Sequence, residues 1–340
     1  MMKGKSMAKK IRWGIVGTGG IAQKFAQGLD VLPDTQLVAV ASRSKESAEK
    51  FSAEFNVPNR HIGAEAIASD GDVDVVYIAT PHPMHKDDTI NCLKGGKAVL
   101  CEKPFAMNSS EVMQMVMCAR ERGLFLMEAM WTYFFPAMAK VRELITGGAI
   151  GEIRLVQANF CFRCEYDPED RLLNPALGGG ALLDVGVYDI ALAQMIYGKG
   201  PIRISSMAHI GQTGVDEQSS MILGYENGAM AVLTCAIRTS TLNEAVIYGT
   251  DGFIRIPDMF WHPDRIIVKT GRDEEKEITF NRLGNGYSYE AVEVMQCLRN
   301  GEIESSTMPL DASAAIMKTM DRIRQQWNLV YPMEKEIKFF

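Results

Sequence analysis

The sequence lacks a surplus of positive charge. Its 36 lysines and arginines stand against 42 aspartates and glutamates, a formal charge of −6 over 340 residues, so no basic stripe is available to track nucleic-acid phosphates. It also shows no apolar run approaching the length that spans a bilayer, and no apolar leader core follows the basic start at Lys3, Lys5, Lys9 and Lys10. That cluster reads as a solvated tail rather than an address, and the expected compartment is the cytoplasm. Cysteine is sparse and unpatterned: seven residues, an odd number, scattered from Cys92 to Cys297, do not make a disulfide framework. The single Cys-x-x-Cys, Cys161 and Cys164, falls within or at the end of a strand-like run. Side chains three apart on a strand point to opposite faces, so no metal is expected there. His82 and His85 likewise lack further ligands at metal-site spacing. No internal repeat or low-complexity tract supports a scaffold role.

What is present is the composition of a globular protein, 47% hydrophobic and 23% charged. At 340 residues two domains are expected, divided here as 8–129 and 130–340. The 21 methionines are plentiful, and Met113 and Met117, four apart on a helical stretch, read as core filling.

The first half alternates strands and helices. An apolar run at 11–16 ends in Gly17-Thr18-Gly19-Gly20-Ile21-Ala22, a G-x-G-x-x-A pattern, with a helix expected behind it. Gly17 allows the tight turn, Gly19 lets backbone approach a pyrophosphate, and Ala22 lets the helix pack close. The helix N-terminus then offers free N–H groups and the positive end of its dipole to phosphate. Further strands are expected at 36–42, 74–80, 97–101 and 124–127. Ser44 caps a helix over 45–55, and Asn108 with Glu111 caps another that Gly123 ends. This spacing predicts a doubly wound parallel sheet, a Rossmann domain. At the end of the second strand an acidic residue would hold a ribose 2′-OH. Ser42-Arg43 stands there instead, a hydroxyl and a guanidinium suited to a 2′-phosphate. NADP is therefore the favoured cofactor, with NAD open if Arg43 only stacks on adenine.

In the second half, helices are expected at 135–146, 289–299 and 311–327, and strands at 152–163, 202–210, 219–225, 230–238, 244–249, 253–257 and 265–270. Strands in a row joined by turns predict an α+β domain with a large, mostly antiparallel sheet. Trp131, Phe134, Phe160, Phe162 and Trp261 are candidates for an aromatic wall, with Trp131 and Trp261 taken as substrate contacts. Arg171, in a polar loop, is a third substrate candidate.

Three segments carry a resemblance: Glu102-Lys103-Pro104 after the fourth strand of this reading, Ala79-Thr80-Pro81-His82-Pro83-Met84-His85, and Gly178-Gly179-Gly180 leading through Asp184 to Tyr188. In this order they resemble the Gfo/Idh/MocA oxidoreductases. The stretch Met127 to Pro136, Phe260-Trp261-His262-Pro263 and Tyr289-Glu290-Ala291 are similar to its dimeric dihydrodiol dehydrogenase branch. The likeness runs from Ile11 to about Asn328. Two departures stand out: Tyr133, where the branch usually has arginine, and His82, where many members have asparagine.

The resemblance implies a dehydrogenase of CH–OH carbons acting on a sugar, polyol or trans-dihydrodiol, and a homodimer or homotetramer assembled through the second sheet. It implies Lys103, Tyr188 and Asp184 as catalytic residues. Lys103 lies where ligands bind in open α/β sheets and can stabilise a developing alkoxide. Tyr188 is expected to exchange the proton, its pKa of about 10 lowered by the Lys103 cation. Asp184 is expected to hold the substrate hydroxyl or to orient Lys103. A cis bond before Pro104 would aim Lys103 into the site, with Glu102 fixing that turn or touching cofactor. Gly17, Thr18, Gly19, Gly20, Ile21, Ser42, Arg43, Thr80, Pro81, His85, Glu102 and Lys103 are the expected cofactor contacts. The sequence leaves two other readings open: a glycosidase with a transient nicotinamide redox step, and a non-catalytic dinucleotide sensor.

Overall fold

The structure, a computed structural model, describes residues 10–335. The basic residues Lys3, Lys5 and Lys9, the start of the first domain at residue 8 and the end of the second at 340 lie outside the described residues.

The first domain runs β1 (Ile11–Val16), α1 (Gly20–Asp30), β2 (Thr35–Ser42), α2 (Lys45–Phe55), β3 (Asn59–Ile62), α3 (Ala64–Ala68), β4 (Val75–Ile78), α4 (His85–Lys94), β5 (Ala98–Glu102), α5 (Ser109–Arg122) and β6 (Leu126–Ala129). Its six strands are parallel in the order β3-β2-β1-β4-β5-β6. The chain order reverses beside β1 and β4, and crevices at such switch points hold ligands. Val75–Ile78 and Ala98–Glu102 are buried throughout, as expected of strands covered on both faces.

Local signals behave as the sequence indicates. The Ser44 side chain accepts from the Ser47 N–H, and Asn108 accepts from the Glu111 N–H. Gly123 ends α5 in the left-handed region, where a side chain would be strained. The Glu111 carboxylate, however, accepts from the Met107 N–H, so the cap at Asn108 is one-sided. The strand β3 and helix α3 are additions to the sequence reading: Asn-Arg-His-Ile has no apolar alternation, and pairing with β2 makes it a strand. A correction falls on α5. Met113 and Met117 are exposed, 44% and 54%, while Met115 fills the core.

The second domain opens with α6 (Pro136–Thr146) and β7 (Ile153–Cys161), continues through α7 (Val187–Tyr197), and then lays down β8 (Arg203–Ile210), β9 (Asp216–Gly224), β10 (Met230–Ala236), β11 (Ala245–Gly249), β12 (Gly252–Ile256), β13 (Arg265–Thr270) and β14 (Lys276–Thr279). It closes with α8 (Ser288–Asn300) and α9 (Leu310–Gln326). The sheet order is β14-β13-β12-β11-β7-β10-β9-β8, antiparallel except for the β7–β10 pair. The α7 segment packs against β7 and β10 and α9 against β8. On the other face, Met207, Ile222 and Met230 are exposed, and the register places Ile222 opposite Val232 of β10 and Ser205 of β8.

The expectation that no apolar run reaches membrane-spanning length is corrected at Pro175–Tyr197. These 23 residues are long and apolar enough by composition, yet 89% of their most apolar stretch is buried inside the molecule. Burial on all sides is why the segment reads apolar all round. Its start departs from a plain α-helix: Leu182–Gly186 forms a π-type turn that leads into α7.

Candidate active site

One cavity of about 1050 Å³ runs from the glycine turn after β1, past Ser42 and Arg43, to Lys103, Asp184 and Tyr188 and the rings of Trp131, Phe160, Phe162, Trp261 and Tyr287. It lies over the carboxyl ends of the parallel strands. The cofactor and catalytic candidates and Trp131, Arg171 and Trp261 line it, as do Phe160 and Phe162 of the aromatic-wall candidates, whereas Phe134 does not.

The glycine turn fits a dinucleotide. A Cβ on Gly17, at φ +108°, would lie 2.5 Å from the Ala79 carbonyl oxygen. Only glycine therefore lets the ends of β1 and β4 approach. Gly19 and Gly20 are different, since a Cβ there would meet nothing within 4 Å. Their bareness leaves the backbone open above the α1 N-terminus, where no side chain caps the free N–H groups. Such a bare helix N-terminus takes phosphate. Thr18 Oγ1 lies 3.4 Å from Ser42 Oγ, tying the turn to the end of β2. Lys24, Ser44 and Ser47 line the same end. Ser44 reads from the sequence as a helix cap, and Lys24 and Ser47 lie on helix surfaces that carry no motif signal.

Around the reacting centre, Lys103 follows β5 and its bond to Pro104 is cis. The Lys103 ammonium donates to the Asp184 carbonyl at 2.7 Å and lies 3.4 Å from Asp184 Oδ1. Arg171 donates to that same Oδ1 at 2.9 Å. Burial drives the Asp184 carboxyl upward, but the Lys103 and Arg171 cations outweigh it and hold it well below the usual carboxylate range. Asp184 thus meets Lys103 through both its carbonyl and its carboxylate, and Arg171 reaches the site as the partner of Asp184.

The expectation for Tyr188 is corrected. Lys103 Nζ sits over the face of its ring, 4.9 Å from the centroid, where a cation meets the π system rather than the hydroxyl. Burial, followed by the charges of Tyr287 and Glu102, pushes the hydroxyl well above its ordinary value. Its hydrogen-bond partner is the Trp131 indole N–H at 2.9 Å. Because the indole can only donate, the Tyr188 oxygen accepts there and its own O–H remains free to donate into the cavity.

Two histidines hold the loop after β4. His85 is fully buried, with Nδ1 2.9 Å from the Pro104 carbonyl and Nε2 2.8 Å from the Thr80 carbonyl. Both nitrogens face backbone carbonyls, and the neutral ring, with one N–H, donates to one of them, which braces the loop beside the Lys103 turn. His82 Nδ1 lies 2.9 Å from the Gly178 carbonyl. A carbonyl can only accept, so the proton is on Nδ1, and burial lowers the ring pKa to about 3. Glu102, whose pKa burial raises, accepts from Tyr77 Oη and from the Lys103 N–H. That fixes the turn, as expected of it.

The aromatic wall is ordered by stacking. Trp131 lies against Tyr287 at 4.2 Å and 2°, and Trp261 against Phe160 at 3.4 Å and 6°. Tyr287 was not legible in advance, since it follows the polar Gly284-Asn285-Gly286 turn and carries no motif signal. Tyr133 does not line the cavity. Its hydroxyl donates to the Ala191 carbonyl at 2.6 Å in the core, so this departure from the branch leaves the site alone. Cys161 ends β7 and Cys164 lies beyond it, and among the described residues no set of three His, Cys, Asp or Glu is placed to hold a metal.

A nucleotide cradle continuous with a lysine, a tyrosine and an aromatic wall defines a dinucleotide-dependent oxidoreductase. Residues 11–130 match the oxidoreductase family with NAD-binding Rossmann fold, and residues 138–255 match the GFO/IDH/MocA C-terminal domain. The mouse trans-1,2-dihydrobenzene-1,2-diol dehydrogenase is 40% identical over 336 residues, 96% of this chain and 99% of that protein. Among solved structures, a 3-ketoreductase from Actinomadura kijaniata in complex with NADP and TDP-benzene superposes with a TM-score of 0.83 at 26% identity, over 93% of this chain and 98% of that one. An aldose-aldose oxidoreductase from Caulobacter crescentus gives 0.86 at 23% identity, over 93% and 97%, a likeness of fold alone. The chain belongs to the Gfo/Idh/MocA family, in its dihydrodiol dehydrogenase-like branch, and is an NAD(P)-dependent dehydrogenase acting on CH–OH groups.

Proposed function

We propose that the protein transfers a hydride between NADP and the CH–OH carbon of a sugar, polyol or trans-dihydrodiol. The observation that carries this reading is the free O–H of Tyr188, held by the Trp131 indole, in the same cavity as the Lys103 ammonium and the glycine turn. The names of the mouse relative and of the Actinomadura complex support it.

Bound in the cradle, a nicotinamide dinucleotide would supply the hydride chemistry, its pyrophosphate held by Gly17, Thr18, Gly19, Gly20 and Ile21 and its adenosine ribose by Ser42 and Arg43. The chain supplies position and the proton. An ammonium has three N–H donors, and two of the Lys103 donors face Asp184. The third is available for the oxygen that gains charge as a carbonyl is reduced. Tyr188 donates its proton to that oxygen, and the Trp131 N–H stabilises the phenolate left behind. Oxidation runs the same transfers in reverse, with the substrate hydroxyl proton passing to Tyr188. The walls formed by Trp131–Tyr287 and Phe160–Trp261 take the flat face of a ring and limit water around it.

The test is initial rates with NADP⁺ and NAD⁺ against a panel of sugars, polyols and trans-dihydrodiols. Arg43→Ala is expected to lower affinity for NADP⁺ by about tenfold, the worth of one charge-assisted bond to phosphate, and to leave NAD⁺ little changed. An equal loss for both cofactors would make Arg43 an adenine-stacking residue and remove the argument for NADP. Tight cofactor binding with no turnover on any substrate, and none in its redox state, would point to a glycosidase or a sensor instead.

The proposed oligomer is a homodimer or homotetramer formed through the second sheet. Its support is the uncovered face bearing Met207, Ile222 and Met230, exposed by 79%, 49% and 46%, where contiguous apolar surface marks an interaction site. A Met207→Glu, Ile222→Glu double variant is expected to shift the light-scattering mass to that of a monomer. An unchanged mass would place the interface elsewhere.

A further inference from the structure

The triglycine at 178–180 lies directly before the turn that carries Asp184 and Tyr188, and side chains anchor the triglycine at two points and the turn at one more. His82 donates to the Gly178 carbonyl. Asp216 Oδ2 accepts from the Leu182 N–H at 2.7 Å. The third anchor comes from the far end of the chain: Tyr331, 1% exposed, donates its hydroxyl to the Gly179 carbonyl at 2.5 Å. The fit is close. At Gly180, with φ at +113°, a Cβ would lie 2.3 Å from Asp216 Oδ1 and 3.0 Å from the Tyr331 hydroxyl.

The short turn that follows, Pro332–Glu334, is fastened to the other half of the site. Glu334 takes both terminal nitrogens of Arg324, at 2.9 and 3.0 Å, and accepts from Asn108 Nδ2 at 3.0 Å. Arg324, 4% exposed, also donates to the Met107 carbonyl at 3.0 Å. Met107 and Asn108 end the segment that begins at Glu102-Lys103-Pro104, and the Met107 sulfur would lie 2.9 Å from a Cβ on Gly178. A buried guanidinium between two carboxylates, Glu334 and Asp321, is a stiff joint, because breaking either pair would strand a charge.

We propose that the C-terminal turn is a positioning element of the active site, with Tyr331 as its positioning residue: by holding Gly179 while Glu334 and Arg324 hold the Lys103 segment, it sets where Asp184 and Tyr188 stand relative to Lys103. Tyr331 touches no reacting atom. It acts through the triglycine, as a rigid support acts on side chains that must be held to a fraction of an ångström. The inference rests on the reading of Lys103 and Tyr188 as the reacting pair.

The test is Tyr331→Phe, which removes one oxygen and keeps the ring that packs against the core. Kinetics, cofactor affinity and thermal midpoint are measured beside Arg322→Ala and Lys103→Met. Arg322 holds the Pro201 carbonyl from the opposite side of α9, so its loss loosens the helix without touching the triglycine. Tyr331→Phe is expected to lower kcat by about ten- to a hundredfold, with substrate KM and cofactor affinity unchanged. Arg322→Ala is expected to lower the thermal midpoint with kcat intact. An unchanged kcat in Tyr331→Phe, while Lys103→Met is inactive, overturns the proposal and leaves the reading of the site standing. A parallel fall of kcat, cofactor affinity and midpoint in both Tyr331→Phe and Arg322→Ala also overturns it, as general loss of packing. Full turnover in Lys103→Met overturns both.

Discussion

Replacing Lys103 by methionine is expected to lower kcat/KM by about a hundred- to a thousandfold, the typical cost of removing a preorganised donor at a developing oxyanion. Methionine matches the length of the lysine stem and lacks its charge, so the packing over the Tyr188 ring survives. The ammonium is fixed by the Asp184 carbonyl and carboxylate, and no other cation lining the cavity is placed to take over: Arg171 is engaged by Asp184. The dinucleotide should still bind, because the glycine turn, Ser42 and Arg43 are untouched. Steady-state rates with cofactor titration by nicotinamide fluorescence check both halves. Turnover near that of the parent protein would remove Lys103 from the mechanism.

Tyr188→Phe is expected to cost about a hundred- to a thousandfold in kcat, the range of general acid catalysis, with substrate KM changed little. The pH dependence separates this role from mere packing. Burial raises the Tyr188 hydroxyl above its ordinary value, so the proton donor stays loaded through the neutral range. Carbonyl reduction should therefore show no loss of rate from Tyr188 until the pH exceeds its ordinary value of about 10. Oxidation needs the deprotonated oxygen, and its rate should climb with pH across the same range. Both features should vanish from the residual activity of the phenylalanine variant. A reduction rate that falls between pH 7 and 9 in the parent protein, and falls identically in Tyr188→Phe, would assign the proton to another group.

The two variants bear on different parts of one unit, so their effects should not add. Lys103 and Tyr188 act on the same oxygen, and once one is gone the geometry that gives the other its value is gone too. The double variant is expected to be little worse than the poorer single one.

Much of this protein is legible in its sequence because the signals are local. The glycine turn, the caps at Ser44 and Asn108, and the apolar runs of β4 and β5 each state a backbone conformation within a few residues. Motif order along the chain was enough to place Lys103, Asp184 and Tyr188 together, and the cavity contains all three. Elements whose pattern is weak were missed: β3 and β14 are short and polar, and only pairing with β2 and β13 makes strands of them. Met113 and Met117 were misjudged because the period of a helix gives faces and not which face is covered.

By itself, then, the sequence determined the fold class, the dinucleotide cradle and which candidate side chains share one cavity. Only the tertiary structure decided how those side chains behave. The Trp131–Tyr188 bond joins residues 57 apart, and the Tyr331–Gly179 bond joins residues 152 apart. Lys103 lies over the face of the Tyr188 ring, and burial, followed by the charges of Tyr287 and Glu102, raises the hydroxyl that a nearby cation was expected to lower. Spacing along a chain reports backbone geometry. Proton affinity depends on burial and on the direction of each neighbour, and both arise only when distant segments pack.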